Sequence, residues 1–208
     1  MVDYLDQLFT DKDIIERVQK KMPLLFQSAE NESSRAGKLG MEIGSARERI
    51  IIALLMYKYG EENVNTLAPI TKAEVDVLLF NNPISIKTVT GKLTGVKLIW
   101  TVDAQKALEF SNNYSPTIDM LLAQINWGGK GYFYYFPVQA QQNVFKRLGK
   151  EKYIKLPKAG TNPRGVEITQ EALMELANEQ GGRKIEIDWE RTDVTSGIYD
   201  RWVKLWGD

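Results

Sequence analysis

The amino-acid sequence predicts an α/β protein in which a mixed β-sheet is flanked by helices. Three observations support this fold class. Apolar residues recur at helical spacing in several segments, short runs rich in β-branched and aromatic residues separate those segments, and no linker rich in Pro, Gly or Ser divides the chain. Because 208 residues with 43% hydrophobic content are enough for one sizeable core, we expect residues 1–208 to form a single domain.

Helical and extended segments follow one another along the whole chain. The second half of the longest predicted helix, Ile50 to Met56, is apolar nearly all round, so we expect it to be buried on most sides. In the first half of the chain we predict helices at 12–28, from after residue 38 to 59 and at 102–110, with strands at 74–80, 84–89 and 96–100. In the second half we predict helices at 117–126, 140–148, 170–179 and 197–206, with strands at 131–137, 153–156, 165–168 and 184–189.

Composition narrows the chemistry. The chain contains neither Cys nor His, which excludes disulfides, thiolate nucleophiles, imidazole bases and Ser-His-Asp triads. A protein that has carboxylates but neither thiolate nor imidazole ligands is suited to a hard, oxygen-binding ion such as Mg²⁺. Lys plus Arg and Asp plus Glu both number 27, which does not favour non-specific coating of nucleic acid but permits a local basic groove. No long apolar run or signal peptide is present, so we expect a cytoplasmic protein without a membrane partner.

The sharpest local feature is the pair of strands predicted at 74–80 and 84–89, which form a hairpin. Side chains alternate along a strand, so Glu74 and Asp76 share one face, as do Ser85 and Lys87. Pairing the strands therefore places a carboxylate beside an ammonium. Phosphodiester hydrolysis requires a metal that activates water and a cation that steadies the nucleophile or phosphate, and the backbone carbonyl of Ile86 offers the metal a further ligand.

This pattern resembles the PD-(D/E)XK nucleases, whose core places an acidic helix before a hairpin that carries Asp and then Glu/Asp-x-Lys. Upstream, residues 44–49 (Gly-Ser-Ala-Arg-Glu-Arg) are similar to the G-x-x-x-E-R element that opens this helix in resolvase-like members. The resemblance implies a restriction-endonuclease-like core at 41–110, an N-terminal helical segment at 1–40, and a C-terminal α/β elaboration at 111–208 that completes the core and recognises DNA.

The resemblance also implies roles for individual residues. Asp76 would be the central metal ligand, Glu48 would help to hold the metal, and Lys87 would position the attacking water. Gln105 lies where some members place an additional catalytic Gln or Lys. The implied cofactor is Mg²⁺, for which Mn²⁺ can substitute, and the implied substrate is double-stranded DNA.

Two positions depart from the family pattern. Ser85 stands where Glu or Asp is usual, and Val75 rather than Pro precedes Asp76. A carboxylate from elsewhere would have to compensate for Ser85. Glu48 and Glu74 are both candidates, and the sequence leaves the choice open.

Candidate DNA-binding residues lie outside the hairpin. Polar and basic side chains in the 158–165 loop suit base edges or phosphates, although a solvated loop explains them equally well. A basic cluster before that loop suits phosphates, although cations also favour a helix C-terminus. An apolar side chain ahead of the acidic helix is able to wedge into a minor-groove step, although a core role is the simpler interpretation. The candidates are Lys158, Thr161, Asn162 and Arg164 in the loop, Lys152 and Lys155 in the cluster, and Met41.

Neutral net charge and a large C-terminal elaboration favour a sequence-specific enzyme, so we predict a type II restriction endonuclease. The Asn-Pro-Arg-Gly segment followed by a helix is similar to ThaI-type restriction enzymes. Cutting both strands with one site per chain implies a homodimer on a palindromic target. The alternatives are a Holliday junction resolvase or repair nuclease of the same superfamily, and a non-catalytic DNA-binding protein with a degenerate nuclease fold.

Overall fold

The structure is a computed structural model that describes residues 4–35, 41–67, 74–156 and 165–192; the helix predicted at 197–206 lies outside them. The α-helices are α1 Tyr4–Leu8, α2 Lys12–Arg35, α3 Met41–Tyr59, α4 Ala104–Asn113, α5 Val138–Leu148, α6 Lys150–Tyr153 and α7 Gln170–Asn178, with a 3₁₀ helix at Glu61–Asn63. The strands are β1 Val64–Asn65, β2 Val77–Leu79, β3 Asn82–Thr90, β4 Gly95–Ile99, β5 Asp119–Ile125, β6 Gly129–Phe136, β7 Ile154–Lys155, β8 Val166–Thr169 and β9 Arg183–Trp189.

Two sheets organise the fold. The larger has six strands in the order β1-β2-β3-β5-β6-β9, with β3 and β5 parallel and the other neighbours antiparallel. The smaller has three antiparallel strands in the order β4-β8-β7. This confirms the predicted fold class, a mixed sheet flanked by helices. Among the described helices, none has the length and apolar character needed to cross a membrane.

Among the described residues, the helix predicted at 117–126 is wrong, because this segment contains strand β5, Asp119–Ile125. The strand lies in the middle of the large sheet, and Leu121, Leu122 and Ala123 are fully buried. A central strand with a parallel neighbour is covered on both faces, so its sequence is continuously apolar rather than alternating. Such a run resembles a buried helix, and periodicity alone does not separate the two.

A separate core lies on each face of the large sheet. On one face, Ile86 and Leu121 pack with apolar residues of α2 and α3, including Phe26 and Ile51. On the other face, residues such as Leu122 pack with the small sheet and with helices α4, α5 and α7. Helix α3, which carries Glu48, therefore belongs to the first layer. Its apolar middle is less buried than predicted, since Ile51 and Leu55 are fully buried but Ala53 is exposed and the other residues of 50–56 are only partly buried. The reason is that one face of α3 packs against α2 and the large sheet while the opposite face borders solvent.

The predicted hairpin of β2 and β3 is confirmed, with its turn shifted towards β2. Leu79 is aligned with Asn82, so the loop consists of Phe80 and Asn81, which have φ angles of 47° and 64°. Positive φ at both loop residues is the requirement of a type I′ turn, whose twist matches that of the flanking strands. Phe80 stacks on Tyr4 with 4.1 Å between ring centroids, which anchors the turn.

Candidate active site

Asp76 lies immediately before β2, beside β3. Its backbone N–H donates to the Ile84 carbonyl at 3.0 Å, and its carboxylate Oδ2 accepts the Ile86 N–H at 2.6 Å. The side chain thus replaces the backbone acceptor that a longer β2 would have supplied. Because buried backbone N–H groups need a partner, this contact fixes the Asp76 carboxylate against the edge of β3.

The same contact sets the direction of the Ile86 carbonyl. In a strand, the N–H and C=O of one residue point towards the same side. Since the Ile86 N–H points towards Asp76, the Ile86 carbonyl faces the same edge of β3. The two oxygen donors that the sequence assigned to a metal are therefore on one side of the strand.

Two further donors meet the same carboxylate oxygen. Lys87 Nζ donates to Asp76 Oδ2 at 3.0 Å, and Ser85 Oγ lies 3.4 Å from it. The Lys87 side chain is only 12% exposed and that of Asp76 is 25% exposed. Among the described residues, the hydrogen bonds to this carboxylate all go to Oδ2, which leaves Oδ1 for a ligand. The predicted pairing of a carboxylate with an ammonium across the hairpin is present.

The carboxylates of Glu48 and Glu74 interact through their charges with both Asp76 and Lys87. Burial, reinforced by the Asp76 charge, raises the pKa of Glu48 to about 7 against the opposing effect of Lys87. Burial also raises the pKa of Glu74 to about 7, with Lys87 lowering it and Asp76 raising it. When all three carboxylates are ionised, Lys87 balances only one of them. The excess negative charge favours a bound cation.

The donor set fits a divalent metal. Carboxylates and a strand carbonyl are hard oxygen ligands of the kind that Mg²⁺ prefers. Within the part of the chain that the structure describes, no three carboxylates are already gathered as a metal cluster. Glu48 and Glu74 are near enough to Asp76 and Lys87 for their charges to interact.

Gln105 is not brought to this centre. It is exposed at the start of α4, where its side-chain amide donates to Glu109 Oε1 at 2.9 Å. Its backbone N–H is held by the side chain of Asp103, which caps the helix. These contacts direct Gln105 along α4.

The structure describes the positions of three of the predicted DNA-binding residues. Lys152 pairs with Glu171 at 3.5 Å and Lys155 with Glu167 at 2.9 Å, so both cations have carboxylate partners. Met41 begins α3, and its side chain is not among the described ones. The remaining predictions, Lys158, Thr161, Asn162 and Arg164, lie outside the described residues.

A cleft beside Glu74 was not predicted. It has a volume of about 700 Å³ and lies between the end of β4 and helix α4. Its lining includes Glu74, the half-exposed Trp100, Lys106 and Tyr114. Every lining residue except Glu74 comes from the segment 99–117, and only the tertiary fold brings Glu74 to that segment, so no local sequence signal could have placed Glu74 in the cleft.

The mixed sheet, the acidic helix and the hairpin that carries Asp76 and Lys87 define a nuclease with a restriction-endonuclease-like fold. A family model described as "Restriction endonuclease ThaI" matches residues 8–208. A solved structure described as "Restriction endonuclease in complex with substrate DNA" is 55% identical, covers 99% of both chains and superposes with a TM-score of 0.88. None of the curated proteins compared with the chain matches it. The chain belongs to the ThaI restriction endonuclease family.

Membership of this family confirms the predicted function. The chain is a type II restriction endonuclease, an endodeoxyribonuclease, rather than a junction resolvase or a non-catalytic DNA-binding protein. Restriction endonucleases generally use a divalent metal, in agreement with the oxygen donors around Asp76.

Proposed function

We propose that this enzyme uses Mg²⁺ to hydrolyse double-stranded DNA at a specific sequence, with Asp76 and Lys87 at its catalytic centre. The observation that carries the proposal is the convergence of Ile86 N–H and Lys87 Nζ on Asp76 Oδ2, at 2.6 Å and 3.0 Å. This geometry supports one carboxylate held rigidly by a strand edge, with an ammonium beside it.

Each group has a role in the proposed hydrolysis. Asp76 and the Ile86 carbonyl would hold the metal. A bound Mg²⁺ would neutralise charge on the phosphodiester and lower the pKa of bound water. Lys87 would orient the attacking water and stabilise negative charge as the new P–O bond forms and the scissile P–O bond breaks. Because Lys87 is largely buried, its charge is weakly screened by solvent and acts strongly on nearby groups.

Either Glu48 or Glu74 would supply the carboxylate that Ser85 lacks. Both have a pKa raised to about 7 by burial, so a nearby cation would favour the ionised form of either one. The Glu48→Gln and Glu74→Gln variants distinguish them. The residue that completes the metal site is the one whose variant requires more Mg²⁺ for half-maximal cleavage.

The DNA-binding roles are proposed from sequence and family. Lys152 and Lys155 would contact phosphates by exchanging their present carboxylate partners for the backbone of DNA. Residues of the 158–165 loop would read bases, and Met41 would lie against the DNA at the start of α3. Gln105 is not part of the proposed centre, because its side chain is directed along α4 towards Glu109. We also propose that the enzyme acts as a homodimer, because one site per chain cuts one strand. Its proposed location is the cytoplasm.

Digestion of plasmid DNA in Mg²⁺ tests the proposal. We expect discrete fragments, no cleavage in excess EDTA, and loss of cleavage by at least about a thousandfold in Lys87→Ala. Lys58→Ala is the matched control, because Lys58 forms a partly buried pair with Asp11 at the other end of α3. Cleavage confined to four-way junctions, or equal rates in the two variants, would contradict the proposed site.

A further inference from the structure

A buried ionic cluster surrounds Glu30 near the start of α3. Its Oε1 accepts from the Arg47 guanidinium and from the Trp127 indole N–H at 3.0 Å, and its Oε2 accepts from Arg191 at 2.7 Å. The Glu30 and Arg47 side chains are only 12% and 11% exposed. The cluster thus links α2, α3, the turn between β5 and β6, and the segment after β9.

Arg47 has a second directed contact, which reaches the large sheet. Its Nη1 donates to Thr90 Oγ1 at 3.2 Å, while Nη2 is held by Glu30. The guanidinium also lies over the Phe26 ring, 5.9 Å from the centroid. One planar group therefore connects α3 to α2 and to the last residue of β3.

These two elements carry proposed catalytic residues. Glu48 follows Arg47 directly on α3, and Lys87 precedes Thr90 by three residues on β3, about 10 Å along the strand. The Arg47 guanidinium, whose two Nη atoms bind Thr90 and Glu30, therefore restrains how far α3 can slide or rotate relative to β3. Movement of about 1 Å between catalytic groups is enough to lower a rate substantially.

We propose that Arg47 is a positioning residue that holds Glu48 in register with Asp76 and Lys87 through its contacts with Glu30 and Thr90. The proposal rests on the proposed function and takes Glu48, of the two candidate carboxylates, as the one that acts at the metal site. A buried ion pair is weak evidence for stability, since well-packed apolar residues often replace one without loss. Its value here lies in geometry, because a guanidinium presents donors in a fixed fork to two partners at once.

Kinetics of three variants test this role. Arg47→Lys keeps the charge opposite Glu30 but lacks the fork, Thr90→Val removes only the contact with β3, and Arg47→Met removes both contacts. In Arg47→Lys and Arg47→Met we expect kcat to fall about tenfold or more, and half-saturating Mg²⁺ to rise, while KM for DNA changes little. Thr90→Val should show a smaller change in the same direction.

Lys58→Met is the matched control, since it removes an ion pair between α3 and Asp11 far along the helix from Glu48. We expect it to lower the midpoint of thermal unfolding while kcat and the Mg²⁺ dependence stay at wild-type values. Should Arg47→Met fail to fold, Arg47→Lys and Thr90→Val carry the test. Wild-type kcat and Mg²⁺ dependence in those two variants would overturn the positioning role.

A Glu48→Gln variant separates the two proposals. Wild-type activity in Glu48→Gln would overturn the proposed role of Glu48 itself. Impaired Glu48→Gln beside fully active Arg47→Lys and Thr90→Val would overturn the positioning role alone. If Arg47 acts through Glu48, the double variant Arg47→Lys/Glu48→Gln should be little slower than Glu48→Gln, because the two effects are not independent.

Discussion

Replacing Asp76 with Asn separates the chemistry of the active site from its stability. Asn has the same shape, and its side-chain oxygen can still accept the Ile86 N–H that Asp76 now binds at 2.6 Å. The substitution removes the negative charge and replaces the second carboxylate oxygen with an NH2 group, which does not bind a metal ion. It therefore leaves Lys87 without its ionic partner and the proposed metal without its central ligand.

The structure indicates a modest change in stability. A hydrogen bond to a charged group contributes about 1.5–3 kcal/mol, and the Lys87–Asp76 contact at 3.0 Å is of this kind. Solvent reaches a quarter of the Asp76 side chain, which weakens the interaction. Losing the carboxylate also relieves its repulsion of Glu48 and Glu74. The free energy of unfolding should therefore fall by less than about 2 kcal/mol.

The expected loss of activity is far larger. Removing the central metal ligand should cost about 4 kcal/mol or more of transition-state stabilisation, which corresponds to about a thousandfold in rate. Single-turnover cleavage of a duplex in Mg²⁺ measures this loss, urea denaturation measures stability, and calorimetry measures Mg²⁺ binding. Asp11→Asn is the matched control, because Asp11 also pairs with a lysine but lies at the start of α2. A cleavage rate in Asp76→Asn within tenfold of wild type would refute the assignment.

Two further predictions concern the whole fold. Because Glu48 and Glu74 have folded-state pKa values raised from 4.5 to about 7, the metal-free protein should lose stability as pH rises from about 4.5 through 7. The double Gln variant should flatten this dependence in urea denaturation, and an unchanged slope would contradict it. Gly131→Ala should lower the free energy of unfolding by about 2–4 kcal/mol, since its Cβ would lie 2.3 Å from the Gln124 carbonyl oxygen. Gly44→Ala, with open space in α3, should instead be neutral or stabilising, and equal losses of stability in the two variants would refute the steric argument.

Much of the site could be predicted because its signals are local. Side-chain alternation in the strands predicted at 74–80 and 84–89 places Asp76 beside Lys87. The observed β2 begins only at Val77, and Asp76, just before it, lies 3.0 Å from Lys87 through its own hydrogen bond to the β3 backbone. The sequence predicts the turn at 81–83, because Asn81-Asn82-Pro83 is rich in turn-forming residues. The loop instead includes Phe80, whose positive φ accompanies its packing on Tyr4.

Strand β5 shows where local signals fail. Its apolar run, Met120 to Ala123, indicates burial but does not indicate whether the covering comes from a sheet or from surrounding helices. The deciding contact is the parallel pairing with β3, whose residues lie about 35 positions earlier in the chain. Nothing in the 117–126 segment itself specifies that partner.

Residue type and short-range periodicity are sufficient to predict the chemistry available to this restriction endonuclease, which has no imidazole and no thiolate and has an Asp and a Lys placed side by side. Three features depend on the folded molecule: Asp76 accepts the Ile86 N–H, Glu48 and Glu74 are partly buried near Asp76 and Lys87, and Arg47 connects α2, α3 and β3. Burial and directed hydrogen bonds depend on contacts between segments that are distant in sequence, and the free energy of the whole fold determines which of those contacts form.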